Sequence, residues 1–77
     1  MKRIYSCQVS ICSGHSRIDF LEVTAVTTRR EALREQVKIA KAIKSGEYDY
    51  LLRGKDESLE ATVDVHDAET YDMVDNF

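Results

Sequence analysis

Proline and tryptophan are absent from this 77-residue chain, and glycine occurs three times, at positions 14, 46 and 54. So little proline and glycine excludes collagen-like and low-complexity architectures. No run of 18 or more apolar residues occurs, so no membrane-spanning helix is expected. Residues 1–8 begin basic and then place a polar residue at every second position, without the unbroken apolar stretch of a signal peptide. The expected location is cytoplasmic. The only two cysteines, Cys7 and Cys12, lie five apart in one strand-like segment and point to opposite faces. At ~3.3 Å per residue their Cα atoms stand roughly 16 Å apart, beyond disulfide reach, so both are expected as free thiols.

Chemistry-bearing constellations are equally scarce. No glycine-rich phosphate loop is present, since the three glycines stand alone. With two histidines and two cysteines in so short a chain, no nucleophile, base and orienting group can be assembled with a pocket to hold them. Cys12-Ser13-Gly14-His15 has C-x-x-H spacing, with Cys7 and His66 as nominal completing ligands. Zinc sites come as two short-spaced pairs, which these are not. The acidic tail lacks the D-x-D-x-D-G order of a calcium loop. No catalytic residue, metal site or cofactor is therefore expected.

The apolar patterning is definite. Residues 3–12 alternate, with Tyr5, Cys7, Val9 and Ile11 on one face and Ser6, Gln8 and Ser10 on the other. Ser13-Gly14-His15-Ser16 reads as a hairpin loop, returning into a strand over 17–26. The phase of that strand slips near Phe20-Leu21, so either both of its faces are covered or a bulge resets the register; the bulge is favoured because it sends Glu22 and Thr24 to solvent together. Thr28-Arg29-Arg30-Glu31 fits a capping box and opens a helix over 29–45 that ends at Gly46. Leu33, Val37, Ala40 and Ile43, flanked by Ala32 and Ile39, form its apolar stripe. Strands are predicted over 48–53, where a helical turn is the alternative, and over 59–66, joined by a polar turn. For residues 67–77 the pattern leaves two readings open: a short helical turn capped by Asp67, or a frayed end. The sum is a single α+β domain, β-β-α-β-β, with an antiparallel sheet packed on one amphipathic helix.

Charge is the most unusual feature. The net charge of −3 conceals +4 over residues 28–45 and −8 over residues 46–77. On the helix Arg30, Arg34, Lys38, Lys41 and Lys44 gather on one flank, a ridge that could follow a phosphate backbone. No aromatic row accompanies it for base stacking. Downstream, Asp56, Glu57, Glu60, Asp64, Asp67, Glu69, Asp72 and Asp75 recur every few residues with little basic compensation. Such a surface draws in a cationic partner. A basic site built for nucleic acid is the natural counterpart, with carboxylates standing where phosphates would. Tyr48 and Tyr50, expected on one strand face beside Asp49, would add an aromatic contact.

In size, in the β-β-α-β-β order with its Thr28/Glu31 cap, and in the acidic run from Asp56 to Asp75, the chain resembles small phage-encoded anti-defence proteins such as anti-CRISPRs. The resemblance implies stoichiometric inhibition of nucleic-acid-handling machinery by binding, and it carries over no site residue. The leading expectation is a non-enzymatic protein-binding inhibitor or modulator whose acidic C-terminal surface engages a basic partner protein. The alternative is a small nucleic-acid-binding module using the basic helix flank. The open edges of so small a sheet also admit a homodimer.

Overall fold

Between Arg3 and Arg17 the sequence contains no Asp, Glu, Lys or Arg, and most of that stretch becomes the central strand of the molecule. A computed structural model describes residues 2–74 and 77. The elements are β1 (Arg3–Ser13), β2 (Ser16–Val26), α1 (Arg29–Lys44), a 3₁₀ turn (Asp49–Leu51), β3 (Glu57–Asp67) and β4 (Met73–Val74). The four strands form one antiparallel sheet in the order β2-β1-β3-β4. The helix covers one face, so the expected α+β layout and element order are those observed. Among the described residues no helix is long and apolar enough to cross a membrane.

Local chemistry accounts for the turns. Ser13 pairs with Ser16 across a two-residue loop in which Gly14 takes φ +63°, the conformation a type II′ hairpin asks of its first residue. Thr28 caps α1 by accepting from the Glu31 amide and donates to the Glu31 carboxylate at 2.7 Å. At the other end Gly46, at φ +88°, donates to Ile43, and Glu47 donates to Ala42. These two bonds make a Schellman motif.

Three expectations need correction. Residues 48–53 are not a strand. Leu51 donates to the Tyr48 carbonyl and Leu52 to that of Asp49, so the backbone is satisfied within a 3₁₀ turn that leans Leu51 on the core. The position beside β1 is taken by β3, which pairs with it over eleven residues. The fourth strand is instead the short β4, and the single turn that Asp67 caps, closed by the Tyr71 amide on the Asp67 carbonyl at 2.9 Å, leads into it. Asp67 Oδ1 accepts from the Glu69 and Thr70 amides and shapes the turn that sends the chain back against β3. Those two amides hold the Asp67 carboxyl below its usual range, and Arg3 adds in the same direction. Finally, β2 is irregular at two places, opposite Cys7/Gln8 and Ile11/Cys12, rather than at Phe20-Leu21. Glu22 consequently pairs with Gln8 while Thr24 pairs with Cys7, so the two lie on opposite faces of the sheet.

The core is small: Tyr5, Cys7, Val9, Ala32, Ile39 and Val65, with Val26, Ile43, Leu59 and Val63 half-buried around it. The helix meets the sheet through Ala32 and Ile39, not through the Leu33–Val37 line. Leu33 stays 40% and Val37 54% exposed. The reason is size. Alanine lets the helix backbone approach the sheet, and the Cys7 thiol reaches within 4.0 Å of the Ala32 carbonyl oxygen.

Burial pushes the Cys7 thiol above its ordinary 9.0, and the Glu35 and Glu22 carboxylates act in the same direction. The unfolded chain therefore ionises this group first. Its contribution to stability is full below 9.0 and is lost as the pH rises toward the raised native value. The expected result is a denaturant midpoint that falls more steeply in the unsubstituted protein than in Cys7→Ala between about pH 8 and about pH 10. Parallel slopes would exclude this linkage.

Candidate binding face

The sheet face without a helix presents the even-numbered residues of β1 (Ser6, Gln8, Ser10, Cys12) and of β3 (Ser58, Glu60, Thr62, Asp64, His66), paired in register. From β2 it receives Ala25, Glu22, Phe20 and Arg17, opposite Ser6, Gln8, Ser10 and Cys12 respectively. No second layer covers this face, yet Ser6 is 3%, Gln8 2% and Ser10 1% exposed. They are covered by the longer side chains of the two flanking strands. A buried polar row survives only if every group is paired, and here the pairing runs across three strands. Ser6 donates to Glu22, and Gln8 Nε2 donates to Ser6 at 2.9 Å. The Arg17 guanidinium donates to Gln8 Oε1 and to Asp64 Oδ2, both at 3.0 Å. Ser10 and Thr62 share a hydroxyl–hydroxyl bond of 2.6 Å. No buried side-chain N or O among the described residues lacks a partner.

The result is a hydrogen-bonded platform with three carboxylates, Glu22, Glu60 and Asp64, and one guanidinium. Arg17 stacks over the Phe20 ring at 5.1 Å and is held on two sides by Gln8 and Asp64. Glu60 has only a weak contact from the Cys12 thiol at 3.9 Å, so its carboxylate remains available to a partner. Glu60 and Asp64 lie four residues apart on one strand face, ~13 Å at the usual rise.

The other acidic candidates extend this row at both ends instead of joining one patch. Asp56 and Glu57 sit at the start of β3, where Glu57 accepts from the Arg53 amide at 2.9 Å. Asp67, Glu69 and Asp72 sit in the β3–β4 turn at the opposite end, ~33 Å away along eleven residues of strand. Asp75 lies outside the described residues. Tyr48 and Tyr50 do not share a strand face: Tyr48 precedes the 3₁₀ turn and Tyr50 lies within it, with rings 6.5 Å apart. Tyr48 packs against the core while Tyr50 is 71% exposed.

The cations take the other layer. Arg30, Arg34, Lys41 and Lys44 are exposed on α1, and none of them meets a carboxylate within ion-pair distance among the described residues. Lys38 pairs with Glu35 at 3.4 Å. The domain is thus polarised through its thickness, with a cationic helix on one side and a net acidic sheet face on the other.

No described cluster of three or more histidine, cysteine or carboxylate side chains could hold a metal. A groove of about 640 Å³ lies elsewhere, beside Lys2, Arg3, Tyr5, Thr27 and Ala68. Sequence patterning did not single out Arg17, Glu22 or the Ser6-Gln8-Ser10 row. One signal was available: an alternating strand whose polar face has small and amide side chains but no charge is a strand covered on both faces. Among family models, curated proteins and solved structures, nothing matches this chain.

Proposed function

We propose that the protein is a non-catalytic binding module that engages a basic partner protein through the helix-free face of its sheet. The observation that carries this reading is the carboxylate set of Glu22, Glu60 and Asp64 on a hydrogen-bonded platform, with Glu22 and Asp64 held by Ser6 and Arg17 and Glu60 left open. The helix cations lie on the opposite layer, where they do not neutralise it. Charges held on strands lose little freedom on binding, so their attraction for a cationic surface is not spent on ordering. The same arrangement steers encounter. A surface that normally holds nucleic acid offers the matching cations, and occupying it would make this protein an inhibitor or modulator of a nucleic-acid-handling complex. The anti-defence resemblance of the sequence fits that role.

The test is chromatographic. On immobilised polylysine at ~0.15 M salt the protein is expected to be retained, and Glu60→Lys is expected to elute at clearly lower salt with an unchanged thermal transition. Neither protein should bind heparin. Tight heparin or RNA retention with a steep salt slope would overturn this reading. It would move function to Arg30, Arg34, Lys38, Lys41 and Lys44, the nucleic-acid-binding alternative.

A further inference from the structure

The two edges of the sheet are not equivalent. At one edge β2 is broken by two register irregularities, which bend an edge and hinder addition of another strand. At the other edge β4 pairs only with Val65 and His66. Among the described residues no strand pairs with the outer side of β3 from Glu57 to Asp64; the Glu57 amide there is taken by the Gly54 carbonyl and the Ala61 carbonyl by the Gln36 side chain. This stretch keeps unbroken register with β1 and contains no lysine, proline or glycine, the residues that usually blunt an edge.

One flank of α1 overhangs the open stretch. Gln36 Nε2 donates to the Ala61 carbonyl at 3.0 Å, which fixes that flank over β3. Leu33, Val37 and Ala40, at −3, +1 and +4 from Gln36, share the flank and are all exposed. On the helix side of β3, Leu59, Ala61 and Val63 are only half-buried. The opposite side of the same strand carries Glu60 and Asp64.

From this juxtaposition we infer that the open edge of β3 accepts an extended segment of the partner as an additional strand, one that alternates apolar residues with lysine or arginine. Strand addition supplies backbone hydrogen bonds at Leu59 and Val63, whose amides and carbonyls face outward, with Gln36 retaining the Ala61 carbonyl, while alternate side chains supply specificity. Side chains on the helix side fill the trough between Leu33, Val37 and Ala40 and the Leu59–Val63 row. Those on the other side fall next to Glu60 and Asp64, where opposite charges on neighbouring strands attract. A second copy of this chain does not match. Pairing β3 with itself brings two identical carboxylate rows together, and β2 offers one cation, Arg17, against Asp19 and Glu22.

The inference rests on the acidic-face reading, and the experiment separates the two. The isotope-labelled full chain is titrated with three blocked nine-residue peptides: alternating Val/Lys, a proline-interrupted peptide of equal charge, and alternating Val/Glu. Affinity and amide hydrogen exchange are followed. The alternating Val/Lys peptide is expected to bind about tenfold or more tightly than the proline-interrupted one. It should slow exchange within residues 58–63, and Val37→Glu should weaken it by a similar factor. Equal binding of both cationic peptides with unchanged exchange at 58–63 would overturn strand addition while leaving the acidic face in place. Failure of any cationic peptide to bind, or equal binding of the Val/Glu peptide, would remove both. Protection appearing on β2, or a dimer already protecting residues 58–63 before any peptide is added, would overturn the assignment of edge or of occupant.

Discussion

Replacing Ala32 with leucine is expected to cost about 2–3 kcal/mol of stability, whereas Leu33→Ala, one position along, should cost less than about 1 kcal/mol. Ala32 is fully buried where the helix comes closest to β1, so three added carbons have no free volume to enter. Either the helix lifts, pulling Gln36 from the Ala61 carbonyl, or Cys7 and Val65 are forced from their rotamers. A domain this small carries only ~3–5 kcal/mol of net stability. The variant should therefore melt some 10–20 °C lower, at ~4–8 °C per kcal/mol. Leu33 is already 40% in solvent and has less to lose. Thermal melts of the two variants side by side decide the matter. If Leu33→Ala proves the costlier change, the helix sits on the Leu33–Val37 stripe and the packing described above is wrong.

That pair of residues also shows where sequence patterning stops. The helix ends were legible because Thr28, Glu31 and Gly46 act on backbone groups within a few positions of themselves. The face of the helix was not, because leucine, valine and alanine at helical spacing define an arc, and the centre of that arc depends on the surface opposite. Here the sheet selects the smallest residue as the contact point. The strand reading of residues 48–53 failed for a related reason. Tyr48-Asp49-Tyr50-Leu51 has strand-like composition, but the Schellman turn at Gly46 commits the next residues to local bonds, and Leu59–Asp67 takes the place beside β1. β4 has two residues, too few for periodicity to register.

The binding face divides in the same way. Glu60 and Asp64 could be read from the alternation of β3, since a faultless two-residue period fixes which side chains share a face. Their neighbours Glu22 and Arg17 could not. Two irregularities in β2 shift its phase, and a bulge moves every later side chain to the other face. The acidic run counted along the sequence is in space a row with two far ends. Only its middle, completed by Glu22, lies on the platform.

Arg17 sits at the junction of stability and binding, and its removal is expected to move the two in opposite directions. In Arg17→Met the Gln8 carbonyl oxygen loses its donor inside the polar row and Asp64 loses its counter-ion. Buried acceptors and hydrogen bonds to charged groups are worth a few kcal/mol at most. Because the Arg17 side chain is 34% and that of Asp64 16% exposed, solvent recovers part of this, leaving about 1–3 kcal/mol. Adding Asp64→Asn to the same chain should change stability less than it does in wild type, since the charge pair no longer exists to be broken. For a cationic partner the change is favourable. Glu22, Glu60 and Asp64 then stand without an internal cation, so retention on polylysine should extend to higher salt as the melting temperature falls. A structural role alone would weaken both together, as the platform loosens. If Arg17→Met lowers both stability and polylysine retention, the carboxylates act only through the order that Arg17 imposes on them. If retention rises while stability falls, Arg17 restrains an acidic surface whose charge is free to meet a partner.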